Sequence, residues 1–268
     1  MKRKLEAVIF DWAGTTVDHG SLAPVRVLVQ VFAARGVPIS NAQARRDMGL
    51  LKRDHIDRIL RSPEVREQWT RRFGRTPTCA DLDEFFAAFI PLQMQCLAEY
   101  SRLIAGSAEL AARLRDGGFK IGSTTGYTRP MLDLLLELAR AQGYSPDISL
   151  CPDDVGGGRP KPWMCYRLGI EFQLSSSAAC VKVGDTPADI AEGRNAGMWT
   201  VGVAVTGNEI GLSEAEFGAL SETEREPRVA VASSNLLAAG AHYVVDSVAD
   251  CEEILDQIEH RLANGHGP

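Results

Sequence analysis

No apolar run in this chain approaches the roughly 18 residues needed to cross a bilayer, which argues against a membrane span. The basic opening, MKRKLEAVIF, carries an apolar stretch too short for a secretory signal. None of the cysteines, at 79, 96, 151, 165, 180 and 251, forms a Cys-x-x-Cys pair, so zinc-knuckle and dithiol redox chemistry are excluded. Their scatter through apolar runs, as in Cys180 of AACVKVGD, is the pattern of reduced thiols in a cytoplasmic protein. Basic residues are in deficit, with 29 Lys+Arg against 35 Asp+Glu and a net charge of −6. A nucleic-acid surface would require the opposite balance. The pairs Arg45-Arg46 and Arg71-Arg72 sit among carboxylates and read as solvated helix faces. Internal repeats and low-complexity tracts are also missing.

What remains is an ordinary globular balance, 45% hydrophobic and 24% charged over 268 residues. That length suits a core domain with a smaller insertion. EAVIFD opens the chain as a strand, and from about residue 102 onward strands and amphipathic helices alternate. FKIGSTTG, DISLCPDD, AACVKVGD, WTVGVAV and HYVVDS read as strands. TRPMLDLLLELARAQG, PWMCYRLGIEF, TPADIAEGRNAG and VADCEEILDQIEHRL read as helices. Strands separated by helical crossovers imply a parallel α/β sheet of Rossmann-like type, covered by helices. LSEAEFGALSETEREP, at 212–227, reads as a polar surface excursion between strands.

Residues 20–101 have a different texture, with helical apolar spacing and almost no strand signal. Ser40 is an expected N-cap, Ser62-Pro63 a cap and first helical position, and Thr78 with Asp81 a capping box. The expected organisation is an α/β core at 1–19 and 102–268, with an all-helical cap inserted at 20–101.

In an open parallel sheet, ligands sit beyond the carboxyl ends of the strands. The strand ends here supply Asp11, then Thr124, Thr125 and Gly126, then Arg159 and Lys161 in GRPKP, then Asp185 with Asp189 four residues on. Asp11 can attack phosphorus to give an aspartyl-phosphate. A magnesium ion held by Asp11 and Asp185 would let that carboxylate approach a dianion. Thr125 and the Gly126 N–H can bond phosphoryl oxygens, and Arg159 can clamp them. Asp189 can orient the metal's surroundings.

Together DWAGTTVD, GSTTG, GRPKP and VGDTPADI resemble the four motifs of the haloacid dehalogenase superfamily, from residue 6 to about 205. The resemblance implies a Rossmann-like core, an aspartate nucleophile, magnesium and a mobile cap inserted after the first motif. The departure is Ala13, where the superfamily's phosphatases carry a second aspartate that protonates the leaving oxygen.

A replacement for that acid lies in MGLLKRDHI, at 48–56. If this stretch is one helix, Met48, Lys52 and His55 or Ile56 share a face, and partial desolvation would lower the pKa of Lys52. A lysine imine turns a poor carbon leaving group into an enamine. DWAGTT, MGLLKRDHI and GSTTGYTRPM resemble the phosphonoacetaldehyde hydrolase family, which implies C–P cleavage of phosphonoacetaldehyde to acetaldehyde and phosphate. Carried over, the resemblance makes Asp11 the nucleophile and Lys52 the Schiff-base lysine. It assigns magnesium to Asp11, the Ala13 carbonyl and Asp185, and the phosphonyl group to Thr125, Gly126 and Arg159. Met48, His55 and Tyr127 would line the pocket, with His55 as proton shuttle because an ordinary imidazole titrates near neutrality. A homodimer through cap helices is also implied, with FFAAFI, around Phe85, Phe86 and Phe89, as a candidate surface or as cap core. Alternatives are a phosphatase or phosphomutase of the superfamily, and a non-catalytic binding module on the same fold.

Overall fold

A computed structural model describes residues 5–268. The chain enters through strand β1 (Ala7–Phe10) and then forms a block of five helices: α1 (Leu22–Ala34), α2 (Asn41–Arg45), α3 (Lys52–Arg61), α4 (Pro63–Phe73) and α5 (Cys79–Leu97). Strands and helices alternate from there. The order is α6 (Ser107–Asp116), β2 (Lys120–Thr124), α7 (Arg129–Arg140), β3 (Ile148–Leu150), α8 (Pro152–Val155), α9 (Trp163–Glu171), β4 (Cys180–Gly184), α10 (Pro187–Asn195) and β5 (Trp199–Val203). The series closes with α11 (Glu214–Ala219), α12 (Glu222–Ala238), β6 (Tyr243–Val245) and α13 (Cys251–Ala263).

The strands form one sheet in the order β3-β2-β1-β4-β5-β6, parallel at every pairing. Strand β1 lies between β2 and β4, and its Ala-Val-Ile-Phe run is buried throughout. A strand covered on both faces is apolar without alternation. The chain order reverses at β1, so a crevice opens beyond its carboxyl end. Asp11 is the first residue in that crevice.

The helical block owes its start points to local chemistry. Ser40 and Gln43 form a capping box for α2, and Thr78 and Asp81 form one for α5. Arg75 and Thr78 both donate to Asp81, which holds its carboxyl below the usual range. Ser62 departs from expectation, because its hydroxyl turns back to the Ile59 carbonyl at 2.8 Å, while Pro63 still opens α4. Phe32, Phe85, Phe89 and Trp69 fill the block's interior, with Phe32 and Phe85 ring centres 4.6 Å apart. Truncating one such ring to Ala costs about 3–5 kcal/mol. Phe85 and Phe89 are fully buried and Phe86 half-buried, which bears out core packing, the second of the two alternatives for this segment.

One further expectation is corrected. DISLCPDD is a strand only as far as Leu150, because Pro152 lacks an N–H and opens α8 instead. The 212–227 excursion is a surface insertion between β5 and β6 as expected, and it is built from helices with capping boxes at Ser213–Glu216 and Ser221–Glu224. Its second helix, α12, packs on β5 and β6 through Ala232 and Leu236.

Candidate active site

The loop after β1 is built on one carbonyl. The N–H groups of Thr15, Thr16 and Val17 all donate to the Trp12 oxygen, at 3.1, 2.8 and 3.0 Å. The Trp12 indole reaches outward to Ser123 Oγ at 2.9 Å and so pins the loop to β2. Gly14 adopts a φ of +86°, and a Cβ there would fall 2.2 Å from Asp185 Oδ2. Only glycine lets this loop lie against the second carboxylate. Asp11 itself is 5% exposed, and its N–H donates to the Val183 carbonyl at 2.9 Å.

Asp11, Asp185 and Asp189 offer carboxylate oxygens that all lie within 4.8 Å of one another, in full burial. Burial, then repulsion by Asp189, raises the pKa of Asp11 against the pull of Arg159. Burial, then repulsion by Asp11 and Asp189, lifts Asp185 well above the ordinary carboxylate range. Asp189 also suffers burial, but ion pairs with Arg159 and Lys182 outweigh it and hold the group low. Asp189 Oδ1 receives Lys182 Nζ at 2.7 Å and Arg159 Nη1 at 3.0 Å, and its other oxygen receives the Thr186 hydroxyl. Asp185 keeps more free valence, accepting the Asn208 N–H at 2.8 Å and approaching Thr15 Oγ1 only at 3.5 Å. Asp11 and Asp185, hard oxygen donors crowded until their pKa values rise, fit a small divalent cation.

Arg159 is wrapped on every edge. Nη2 donates to Asp11 Oδ1 at 2.6 Å and to the Thr124 carbonyl at 2.7 Å, and Nε donates to Glu192 Oε2 at 2.9 Å. Thr124 Oγ1 also donates to Glu192, at 2.9 Å. Sequence reasoning missed Glu192 and Lys182. The signal lay in DIAEG of α10, where Asp189 and Glu192 stand three residues apart and so face one way. Lys161 is exposed, with its ammonium 4.4 Å from the Trp163 ring centre, and stays outside the site.

Lys52 arrives from the helical block. The expected single helix through Met48 does not form, because Gly49 sits at a φ of +89° and α3 begins at Lys52 itself. The turn still brings Met48 Sδ to 3.6 Å from Lys52 Nζ. Lys52 is 3% exposed, and its ammonium lies 5.5 Å from the centre of the Tyr127 ring. Burial lowers its pKa to about 8, against the opposing attraction of Asp11.

One narrow cleft collects these groups, with Asp11, Ala13, Met48, Lys52, Thr125, Gly126, Tyr127, Arg159 and Asp185 on its wall. Ser21, Pro24, Gly49 and Thr186 complete the lining. Asp189 stands behind it, against Arg159. His55 is the exception among the expected pocket residues. Its ring is fully buried off the cleft wall, and burial, then the charge of Lys52, pushes its pKa down to about 3. Its imidazole is therefore held neutral beside Lys52 rather than poised near neutrality.

Comparison with known proteins points the same way. A family model described as haloacid dehalogenase-like hydrolase matches residues 5–197. A protein of Bacillus cytotoxicus named phosphonoacetaldehyde hydrolase is 46% identical over 256 residues, covering 96% of this chain and 97% of its own length. One of the same name from Bacillus cereus is 44% identical, with the same coverage of each chain. A crystal structure of a phosphonoacetaldehyde hydrolase-like protein from Oleispira antarctica superposes with a TM-score of 0.97 at 40% identity, covering 99% of this chain and 96% of that one.

Proposed function

This chain belongs to the haloacid dehalogenase-like hydrolases, within the phosphonoacetaldehyde hydrolase family, and we propose that it hydrolyses the C–P bond of phosphonoacetaldehyde through a Lys52 imine and an Asp11 phosphoryl intermediate. The observation that carries this reading is one cleft holding a buried carboxylate and a desolvated amine, with an alanine where a second acid would stand.

Arg159, the Thr125 hydroxyl and the Gly126 N–H receive the phosphonyl oxygens. Lys52, as the free amine, adds to the aldehyde carbon, and the carbonyl oxygen leaves as water. Asp11 then attacks phosphorus in line with the P–C bond. The electrons of that bond flow into the iminium, so carbon leaves as an enamine and needs no acid at position 13. Protonation and hydrolysis of the enamine release acetaldehyde and Lys52. A second water hydrolyses the aspartyl-phosphate, so one water is consumed overall.

Asp11 and Asp185 are the residues with oxygens available to a magnesium ion, with the Ala13 carbonyl as a third donor in our reading. Asp189 fits a supporting role, since both its oxygens are taken by protein donors. Bound there, the cation supplies charge that offsets the approach of a carboxylate to a dianion. We read residues 20–101 as a cap over the α/β core, because Lys52 comes from one side of the cleft and Asp11 from the other. Among the described residues no helix is long and apolar enough to cross a membrane. All six cysteines are free, which supports a cytoplasmic setting. The homodimer belongs to the same reading, with sedimentation velocity as its check.

The direct assay supplies phosphonoacetaldehyde and magnesium and measures both products. Equimolar acetaldehyde and phosphate are expected. Phosphate release from simple phosphate esters at comparable rates, without C–P cleavage, would support the phosphatase reading instead.

A further inference from the structure

Arg45 was expected on a solvated face, and the fold places it elsewhere. It is the last residue of α2, yet its guanidinium reaches out of the helical block into a ring of oxygens. Nη1 donates to the Gly20 carbonyl at 2.8 Å and to Asn208 Oδ1 at 3.1 Å. A longer contact of 3.4 Å reaches the Ser21 carbonyl. Nη2 donates to the Gly211 carbonyl at 2.9 Å. These acceptors come from two segments outside the block's helices: the connection leaving β1, and the loop between β5 and α11.

The same loop returns the contact and carries it inward. Asn208 Nδ2 donates to the Arg45 carbonyl at 3.3 Å, and the Asn208 backbone N–H donates to Asp185 Oδ2 at 2.8 Å. Thr206, two residues earlier, donates its hydroxyl to the Gly14 carbonyl at 2.8 Å and accepts the Gly20 N–H through its own carbonyl at 2.7 Å. One short stretch therefore touches the helical block, the connection and the carboxylate loop. In that connection, Asp18 and Ser21 hold positive φ values of 54° and 50°, which non-glycine residues rarely adopt. Such a conformation persists only where surrounding contacts impose it.

We propose that Arg45 is a positioning residue that pins the helical block over the sheet's carboxyl edge and, through Asn208, sets the orientation of Asp185. It touches neither substrate nor metal. A planar fork suits this task, since it serves several fixed oxygens at once while a lysine offers one point charge. When the block swings away, Arg45 leaves, the 206–211 loop loses its brace, and Asp185 loses its fixed donor. Closure and carboxylate alignment become one event. This goes beyond the reaction proposed above, and its test uses no phosphonate.

The test compares full-length wild type with Arg45→Met, Arg45→Lys and Asn208→Ala, all without substrate. Solution scattering measures the radius of gyration, and timed trypsin digestion measures cutting after Arg102, whose side chain is 84% exposed in the other connection. Calorimetry measures Mg²⁺ binding. Losing three or four such hydrogen bonds should enlarge the radius, speed cutting after Arg102 by about tenfold and weaken Mg²⁺ binding by about tenfold in Arg45→Met. Arg45→Lys should fall between the two. Asn208→Ala keeps its backbone N–H and should weaken Mg²⁺ binding by only a few-fold.

Wild-type scattering and digestion in a folded Arg45→Met protein would overturn the pin. An opened Arg45→Met protein with wild-type Mg²⁺ affinity would overturn the link to Asp185. If Arg45→Met does not fold, Asn208→Ala decides the matter, and unchanged Mg²⁺ affinity there overturns the proposal. A wild type that binds no Mg²⁺ would count against the metal reading, while the scattering and digestion still judge the pin.

Discussion

The lowered pKa of Lys52 makes a quantitative prediction about imine formation. Only the free amine attacks a carbonyl, and the folded protein moves the titration from 10.5 to about 8. A base with a depressed pKa is in its neutral, reactive form at lower pH, so reactivity should be full above 8 and lost as pH falls through it. At pH 7 the neutral fraction is about a tenth, against about one in 3,000 for an ordinary lysine, a gain of about 300-fold. Burial is the larger cause and Asp11 the main opposing one. Asp11→Asn should therefore shift the inflection to still lower pH. The assay is the initial rate of adduct formation with acetaldehyde and cyanoborohydride, followed by intact mass between pH 6 and pH 10. EDTA is included so that no cation sits beside Asp11. An inflection near 10.5, or a rate shared by the surface lysines, would refute the reasoning.

Glu192→Gln removes a buried charge whose Oε2 holds Arg159 Nε and Thr124 Oγ1. Uncompensating such a pair should cost about 3 kcal/mol, a fall in Tm of about 6–10 °C for a chain of this size. Inorganic phosphate should bind about tenfold more weakly, because Arg159 loses its seat. Unchanged phosphate affinity would remove Glu192 from the site. Ala13→Asp should leave C–P turnover no higher than wild type, since the enamine departs without an acid, while hydrolysis of a simple phosphate ester rises above background. Phosphate release from both substrates checks this, and a gain in C–P turnover would contradict the account of Ala13.

The parallel sheet was legible because its two central strands are buried, largely apolar runs that end on a carboxylate, AVIF-Asp and CVKVG-Asp. Capping chemistry located α2 and α5 for the same local reason. The helix through Met48 was misread because spacing alone does not reveal that Gly49 takes a positive φ, though the turn delivers the same contact. The burial of His55, which sets its titration, was not legible because an i, i+3 position does not specify it. Lys182, Glu192 and Arg45 were passed over for a different reason. Each is a charged residue in an ordinary helix or strand pattern; Glu192 and Arg45 find their partners far along the chain, and Lys182 meets Asp189 only because β4 turns back into α10.

The central claim is that Lys52 carries the substrate's carbon as an imine while Asp11 takes its phosphorus. The most direct measurement adds phosphonoacetaldehyde, Mg²⁺ and borohydride, then maps the adduct by peptide mass spectrometry. The account predicts a stable modification on Lys52 alone, persisting in Asp11→Asn without phosphate release, and absent from an inactive Lys52→Arg. Full turnover in Lys52→Arg, or an adduct on any other lysine, would contradict it.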